Sequence, residues 1–241
     1  MEYQILNAGD SAVCVEFGKK IDDAVNARVN SLHQILLKRQ IKGVIESIPT
    51  FRSLLVCYDP VKLKYKKLVR ILESCIAQIR VEENAEKRIV EIPVCYEAQF
   101  APDMENVTAH TGLSAEEVIA LHCGRDYRIH MLGFLPGFPY LGGMDERLVT
   151  PRLKTPRTRI EPGSVGIGGS QTGIYPLASP GGWQLIGKTP LVLYDPQRDN
   201  PILYEAGDYI RFVRISAEQF EEQRKKEQEA YAGRRAGKGR V

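Results

Sequence analysis

Hydrophobic positions in the first third of the chain switch between the periods of strand and helix. Val13, Val15 and Phe17 alternate with polar or small residues and predict a half-buried strand ending at Gly18. Asp22 or Asp23 then offers an N-cap for a helix whose Val25, Val29, Leu32 and Leu36 share one face. Short strands are expected around Val44–Ile48 and Ser53–Tyr58. A second helix is expected near Lys64–Ile79, with Leu68, Ile71, Leu72, Cys75 and Ile76 facing inward. This pattern predicts a small α/β sandwich over residues 1–85, with helices on one face of a sheet.

The charged segment VEENAEKR (81–88) reads as a boundary between domains. After it, RIVEIPVCY predicts a strand, and short helices follow near Asp103–His110 and Ser114–Leu121. The second carries a capping box, Ser114 at the N-cap and Glu117 three residues on. YRIHMLGF (127–134), VGIGG, WQLIGK, PLVLYD and YIRFVRI predict short strands joined by turns, the signature of a barrel or sandwich over 86–216. The remainder, 217–241, predicts a charged surface helix without a strong apolar stripe, ending in a frayed basic tail, GRRAGKGR. The overall class is α+β.

Composition changes this picture in one place. Between Met131 and Pro190 fall 12 of the 21 glycines, 8 of the 14 prolines and the only tryptophan. Both residue types interrupt helices, so this block must consist of strands and tightly specified turns whose backbone and rings line a surface. Net charge is +3, too small to point to nucleic acid. No apolar run approaches the roughly 20 residues of a membrane span, and MEYQILNAGD lacks a signal-peptide layout. The expectation is a cytoplasmic protein with neither a nucleic-acid nor a membrane partner. Five cysteines without a C-x-x-C pair indicate neither a disulfide framework nor a zinc knot, so no metal is expected. Cys14, Cys57 and Cys75 read as small core residues. Cys123 reads as a buried thiol, with a nucleophile as the alternative.

Several enzyme signatures are missing. There is no phosphate loop, no G-x-S-x-G elbow and no H-E-x-x-H pair. VGIGGSQTG (165–173) lacks the G-x-G-x-x-G spacing and the opening helix of a dinucleotide site. What remains is polar groups held among rigid turns. Arg152 and Arg157, presented by P-R-L-K-T-P-R, suit a carboxylate or phosphate, or else make surface ion pairs. Ser164, Gln171, Thr172, Tyr175 and Ser179 are neutral groups able to orient a small amide or carboxylate, or to satisfy turn backbones. His130 is structural or a weak candidate proton carrier at a pocket mouth. His122, ending a helix, is explained as a cation on the helix dipole. Trp183 is a core ring or, with Phe134, Phe138 and Tyr140, part of an exposed partner-binding patch.

GFLPGFPYLGG (133–143), PRLKTPR (151–157), PGSVGIGG (162–169), QTGIYPLASPGGWQLIGKTP (171–190) and LYDP (193–196) resemble the KipI family, also called allophanate hydrolase subunit 1. GDSAVCVEFG (9–18), IPTFRSLLVCYDP (48–60) and IPVCY…PDMENV…GLSAEEVIALH (92–122) match in order, so the resemblance spans nearly the whole chain. It implies an N-terminal α/β domain followed by a cyclophilin-like β-barrel, without prolyl-isomerase activity. It also implies a role as the B subunit of an ATP-dependent 5-oxoprolinase that cleaves 5-oxo-L-proline to L-glutamate. The partners would be a homologous cyclophilin-like C subunit and an A subunit, with ATP bound by the complex. Substrate contacts then fall to Arg152, Arg157, Gln171, Thr172 and Tyr175. The alternative that the family offers is a binding protein that inhibits a sporulation histidine kinase.

Overall fold

The computed structural model describes residues 2–20, 22–80 and 87–238. The chain divides into two compact units, Met1–Glu86 and Lys87–Val241. The charged segment expected at the boundary falls mostly on 81–86, outside the described residues.

In the first unit, strands β1 (Gln4–Asn7), β2 (Ala12–Glu16), β3 (Val44–Pro49) and β4 (Ser53–Tyr58) form an antiparallel sheet ordered β1-β2-β4-β3. Helices α1 (Asp23–Arg39) and α2 (Tyr65–Ile76) complete the unit. Asp22 is the N-cap of α1, its carboxylate accepting from the Ala24 and Val25 amides at 2.8 and 3.1 Å. Val13 and Val15 of β2 and Leu54, Val56 and Tyr58 of β4 point into one core with Val29, Leu32, Leu36, Leu68 and Leu72 of the helices. The period of two puts Cys14 and Cys57 on the opposite face, where they are only partly covered. The expectation that both are core residues is therefore corrected, whereas Cys75 on α2 is buried.

In the second unit, β5 (Ile89–Cys95) precedes helices α3 (Met104–Thr111) and α4 (Ala115–Cys123). Both halves of the capping box at Ser114 and Glu117 are formed. Strands β6 (Asp126–Leu132), β7 (Pro139–Gly142), β8 (Arg157–Ile160), β9 (Ser164–Gly168), β10 (Gln171–Ile174), β11 (Ser179–Gly181), β12 (Gln184–Lys188) and β13 (Tyr209–Ile215) follow. Seven of the strands in this unit form one sheet, ordered β10-β9-β12-β5-β13-β6-β7. Its two edges curl toward each other: a Cβ on Gly173 of β10 would meet the Pro139 carbonyl of β7 at 3.2 Å. The sheet is thus a nearly closed barrel, as the many short strands predicted. Ile92, Val94, Ile129, Val165, Ile167, Ile186, Ile210 and Phe212 fill it. PLVLYD forms no strand and contributes only an isolated bridge from Tyr194 to Ile202.

Helix α5 (Ala217–Lys238) is anchored by Phe220, whose ring lies 4.3 Å from that of Phe100. The frayed basic tail is corrected as far as Lys238, because the helix runs through these residues. Arg234 donates to the fully buried Asp195 at 2.6 Å, a partner 39 positions away that the local sequence does not reveal.

Candidate functional site

The glycines of β9 and β10 have a specific use. A Cβ at Gly168 would fall inside the Trp183 indole, and one at Gly173 would touch its far edge at 3.0 Å. The ring therefore lies flat across backbone stripped of side chains. Gly168 of VGIGG, with Gly173, is a floor for an aromatic ring within paired strands.

On that floor Phe138 is the hub of an edge-to-face cluster. Its centroid is 5.5 Å from Phe134, 5.4 Å from Tyr140, 5.4 Å from Tyr175 and 5.6 Å from Trp183. Beside the cluster opens a cavity of about 330 Å³ lined by these five rings, Arg152, Pro156 and the Pro180–Gly182 turn. Gly181 is required here, since a side chain would strike the Tyr175 hydroxyl at 2.6 Å. Phe138 and Trp183 are buried, which corrects the expectation of an exposed four-ring patch; only Phe134 projects, 62% exposed. Its backbone sits at φ 67, a region that an aromatic L-residue rarely adopts. Tyr204 holds the same turn by donating to the Gly137 carbonyl at 2.7 Å.

Arg152 is exposed and lies over the Trp183 ring, 5.9 Å from its centroid. Among the described residues no carboxylate pairs with it, so its guanidinium fork at the cavity mouth is available to an anion. Burial pushes the Tyr175 hydroxyl up to about 12, against the opposing influence of Arg152. It stays protonated at neutral pH and adds a polar group to an aromatic wall.

The other sequence candidates lie elsewhere. Arg157 donates to Asp103 at 2.6 Å, and Asp103 also accepts from the Leu185 amide at 2.6 Å. That pair, with Asp103 almost fully buried, ties the start of β8 to β12. Of the two readings of Arg157, the ion pair is the one present, with a buried rather than a surface carboxylate, and it is structural. Removing one partner of such a half-buried pair leaves a buried charge. Arg157→Ala is expected to lower stability by about 2 kcal/mol, between the exposed and fully buried cases. Urea unfolding measures it, and an unchanged midpoint would contradict the assignment.

Gln171, on β10, and Ser164, which donates to the Glu161 carbonyl, do not line the cavity, and Ser179 is buried in β11. His130 is buried at a bulge in β6 with its ring packed over Gly142, where a Cβ would collide with it. Thr172 is fully buried and hydrogen-bonded to His122, away from the cavity.

His122 is the residue whose role the sequence hid. It is fully buried and stacked on Phe212 at 4.3 Å, with Nδ1 2.8 Å from the Tyr96 hydroxyl and Nε2 2.8 Å from Thr172 Oγ1. Thr172 donates to the Gly166 carbonyl, so it must accept from Nε2–H, and Tyr96 then donates to Nδ1. Every position is satisfied by a neutral ring, and burial holds its pKa at about 3. The expected helix-dipole cation is therefore corrected to a neutral cross-brace between α4 and the strands under Trp183. Cys123 donates to Tyr96 at 3.4 Å and burial pushes its thiol up, which leaves it a poor nucleophile.

The model of the carboxyltransferase domain, subdomain C and D, matches residues 3–204. Over 230 residues the chain is 45% identical to the B subunit of 5-oxoprolinase from Bacillus subtilis (strain 168), covering 91% of this chain and 96% of that protein. The crystal structure of TTHA0988 matches with a TM-score of 0.77 at 37% identity, over 86% of this chain and 40% of that one. The crystal structure of Kluyveromyces lactis urea carboxylase matches with a TM-score of 0.75 at 24% identity, over 95% of this chain and 23% of that one, a likeness of fold.

Proposed function

Because this chain belongs to the family of carboxyltransferase-domain subdomains C and D, we propose that it is one subunit of an ATP-dependent 5-oxoprolinase. Its aromatic cavity is then one wall of the site that binds 5-oxo-L-proline. The observation that carries this reading is Arg152, uncommitted to any carboxylate among the described residues and poised over Trp183 at the cavity mouth.

A five-membered lactam carries one carboxylate, one amide and an apolar ring. Arg152 would hold the carboxylate, the rings of Phe138 and Trp183 would cover the methylenes, and Tyr175 would donate to a substrate oxygen. The cavity is open on one side, and a second polypeptide closing it would exclude water and complete the catalytic groups. ATP supplies the driving force for opening the amide. Gly166 and Gly168, in the stretch that superficially suggests a nucleotide loop, pack against Trp183 within a strand, which supports the reading that ATP binds elsewhere in the complex.

Co-expression with the A and C subunits, followed by an assay of ATP-dependent glutamate release, tests the reading. Activity is expected from the complex and none from this chain alone. Turnover by the isolated chain, or an inactive complete complex, would contradict it. The histidine-kinase reading draws support from Phe134, whose exposed ring on a left-handed backbone is the kind of anchor a protein partner grips. It requires lost autophosphorylation when the two proteins are mixed.

A further inference from the structure

Strand β3 is an edge of the first sheet and carries a bulge: Val44 pairs with Tyr58 and Glu46 with Cys57, leaving Ile45 extra. The bulge turns Ile45 into solvent, where it is 69% exposed. A bulge ordinarily blunts a sheet edge, but here it leaves an apolar side chain exposed on that edge, and such a side chain invites association. Ile45 lines a shallow depression of about 560 Å³ together with Val44, Pro60, Lys42 and Lys62. Next to Pro60, Val61 is 84% exposed.

Asp59, also in the lining, pairs with Lys62 at 3.0 Å, whereas the cations at the start of the next helix have no such partner among the described residues and work against local stability. Helix α2 begins directly after it, with Lys64 at the N-cap making no side-chain cap bond and no acidic residue in the first turn. Lys66 and Lys67 add two more exposed ammonium groups there. The N-terminus of a helix carries partial positive charge, so lysines repel it and an acid would be preferred. An exposed isoleucine on a sheet edge beside an uncapped helix start lined with lysines breaks two local rules side by side, which points to a use that compensates.

We propose that this face docks an acidic segment of a partner protein in the complex, with an apolar partner side chain seated against Ile45 and Val61 and partner carboxylates meeting Lys42, Lys64 and Lys66. A second copy of this chain in a two-fold contact would set lysine against lysine. Nucleic acid would find aliphatic side chains at the centre, where bases need flat rings.

The inference rests on the proposed membership of a 5-oxoprolinase complex, and its test separates the two. The affinity of the full-length chain for the A and C subunits is measured by calorimetry at low and raised salt. Three proteins are compared: wild type, Lys64→Glu/Lys66→Glu, and Ile45→Ser. The double charge reversal suits the helix dipole, so its thermal midpoint should hold or rise while affinity falls at least tenfold. Ile45→Ser should weaken binding similarly, and salt should weaken the wild type. A wild-type complex indifferent to both variants overturns the docking face alone. No wild-type complex overturns it together with the proposed function. Binding of a labelled oligonucleotide that the double variant abolishes, with affinity for the other subunits unchanged, also overturns it.

Discussion

Acidifying from pH 7.5 to 5 is expected to remove about 2 kcal/mol of stability through His122 alone, with the slope approaching 1.36 kcal/mol per pH unit below 6.5. The folded ring holds a pKa of about 3, while the unfolded chain's ring titrates near its ordinary 6.5. Between those values the unfolded state binds a proton that the folded state refuses, so stability falls as pH falls. It is fully present about a pH unit above 6.5, and the loss levels off near pH 3 at an upper bound of about 5 kcal/mol. Tyr96, Tyr127 and Cys123, which surround the ring, have their own pKa values pushed up by burial and stay neutral throughout. Most carboxylates titrate below this window, and comparison with a variant at His122 removes the contribution of the other three histidines. Urea unfolding of wild type and His122→Gln at pH 7.5 and 5.0 measures it: the variant, whose amide cannot protonate, should lose about 2 kcal/mol less than wild type on acidification. Equal slopes would show that His122 is not held neutral. Because Thr172 links this ring to Gly166, acid loosening should also reach the floor under Trp183.

Arg152→Ala is expected to lower kcat/KM for 5-oxoproline in the assembled complex by about 100-fold, the worth of a charge-assisted pair. The thermal midpoint should stay unchanged, because Arg152 is exposed and pairs with no carboxylate among the described residues. Arg152→Lys keeps the charge and loses the planar fork, and should recover about tenfold of the loss. The contrast with Arg157 is diagnostic: its substitution lowers stability through Asp103, whereas that of Arg152 lowers activity. Rates are measured as glutamate released over a substrate range, with the loss expected mainly in KM.

The two arginines also show what the sequence could convey. Phe134, Phe138, Tyr140, Arg152, Tyr175 and Trp183 all line one cavity, and the density of glycine and proline already marked that block as rigid turns. Local rules sufficed there because each turn and ring is set by its neighbours. They also sufficed for the α1 cap at Asp22 and the box at Ser114, where partners stand two or three positions apart. The failures mostly involve distant partners. Asp103 meets Arg157 across 54 positions and Thr172 meets His122 across 50, distances over which no periodicity carries information. β1, only four residues long, is too short to register a period. For His122 one signal was present: an imidazole on the same helix face as Val118 and Ile119, both buried, is already a candidate for burial.

Trp183 is the only tryptophan in the chain and lines the cavity, which makes it a reporter of the central claim. The complex should be assembled from unlabelled partners and this chain carrying 5-fluorotryptophan, and its fluorine resonance followed as 5-oxo-L-proline is added. A saturable shift is expected in the wild type, weakened in Arg152→Ala. A complex that turns over substrate while the Trp183 resonance stays still would place the lactam elsewhere and contradict the account.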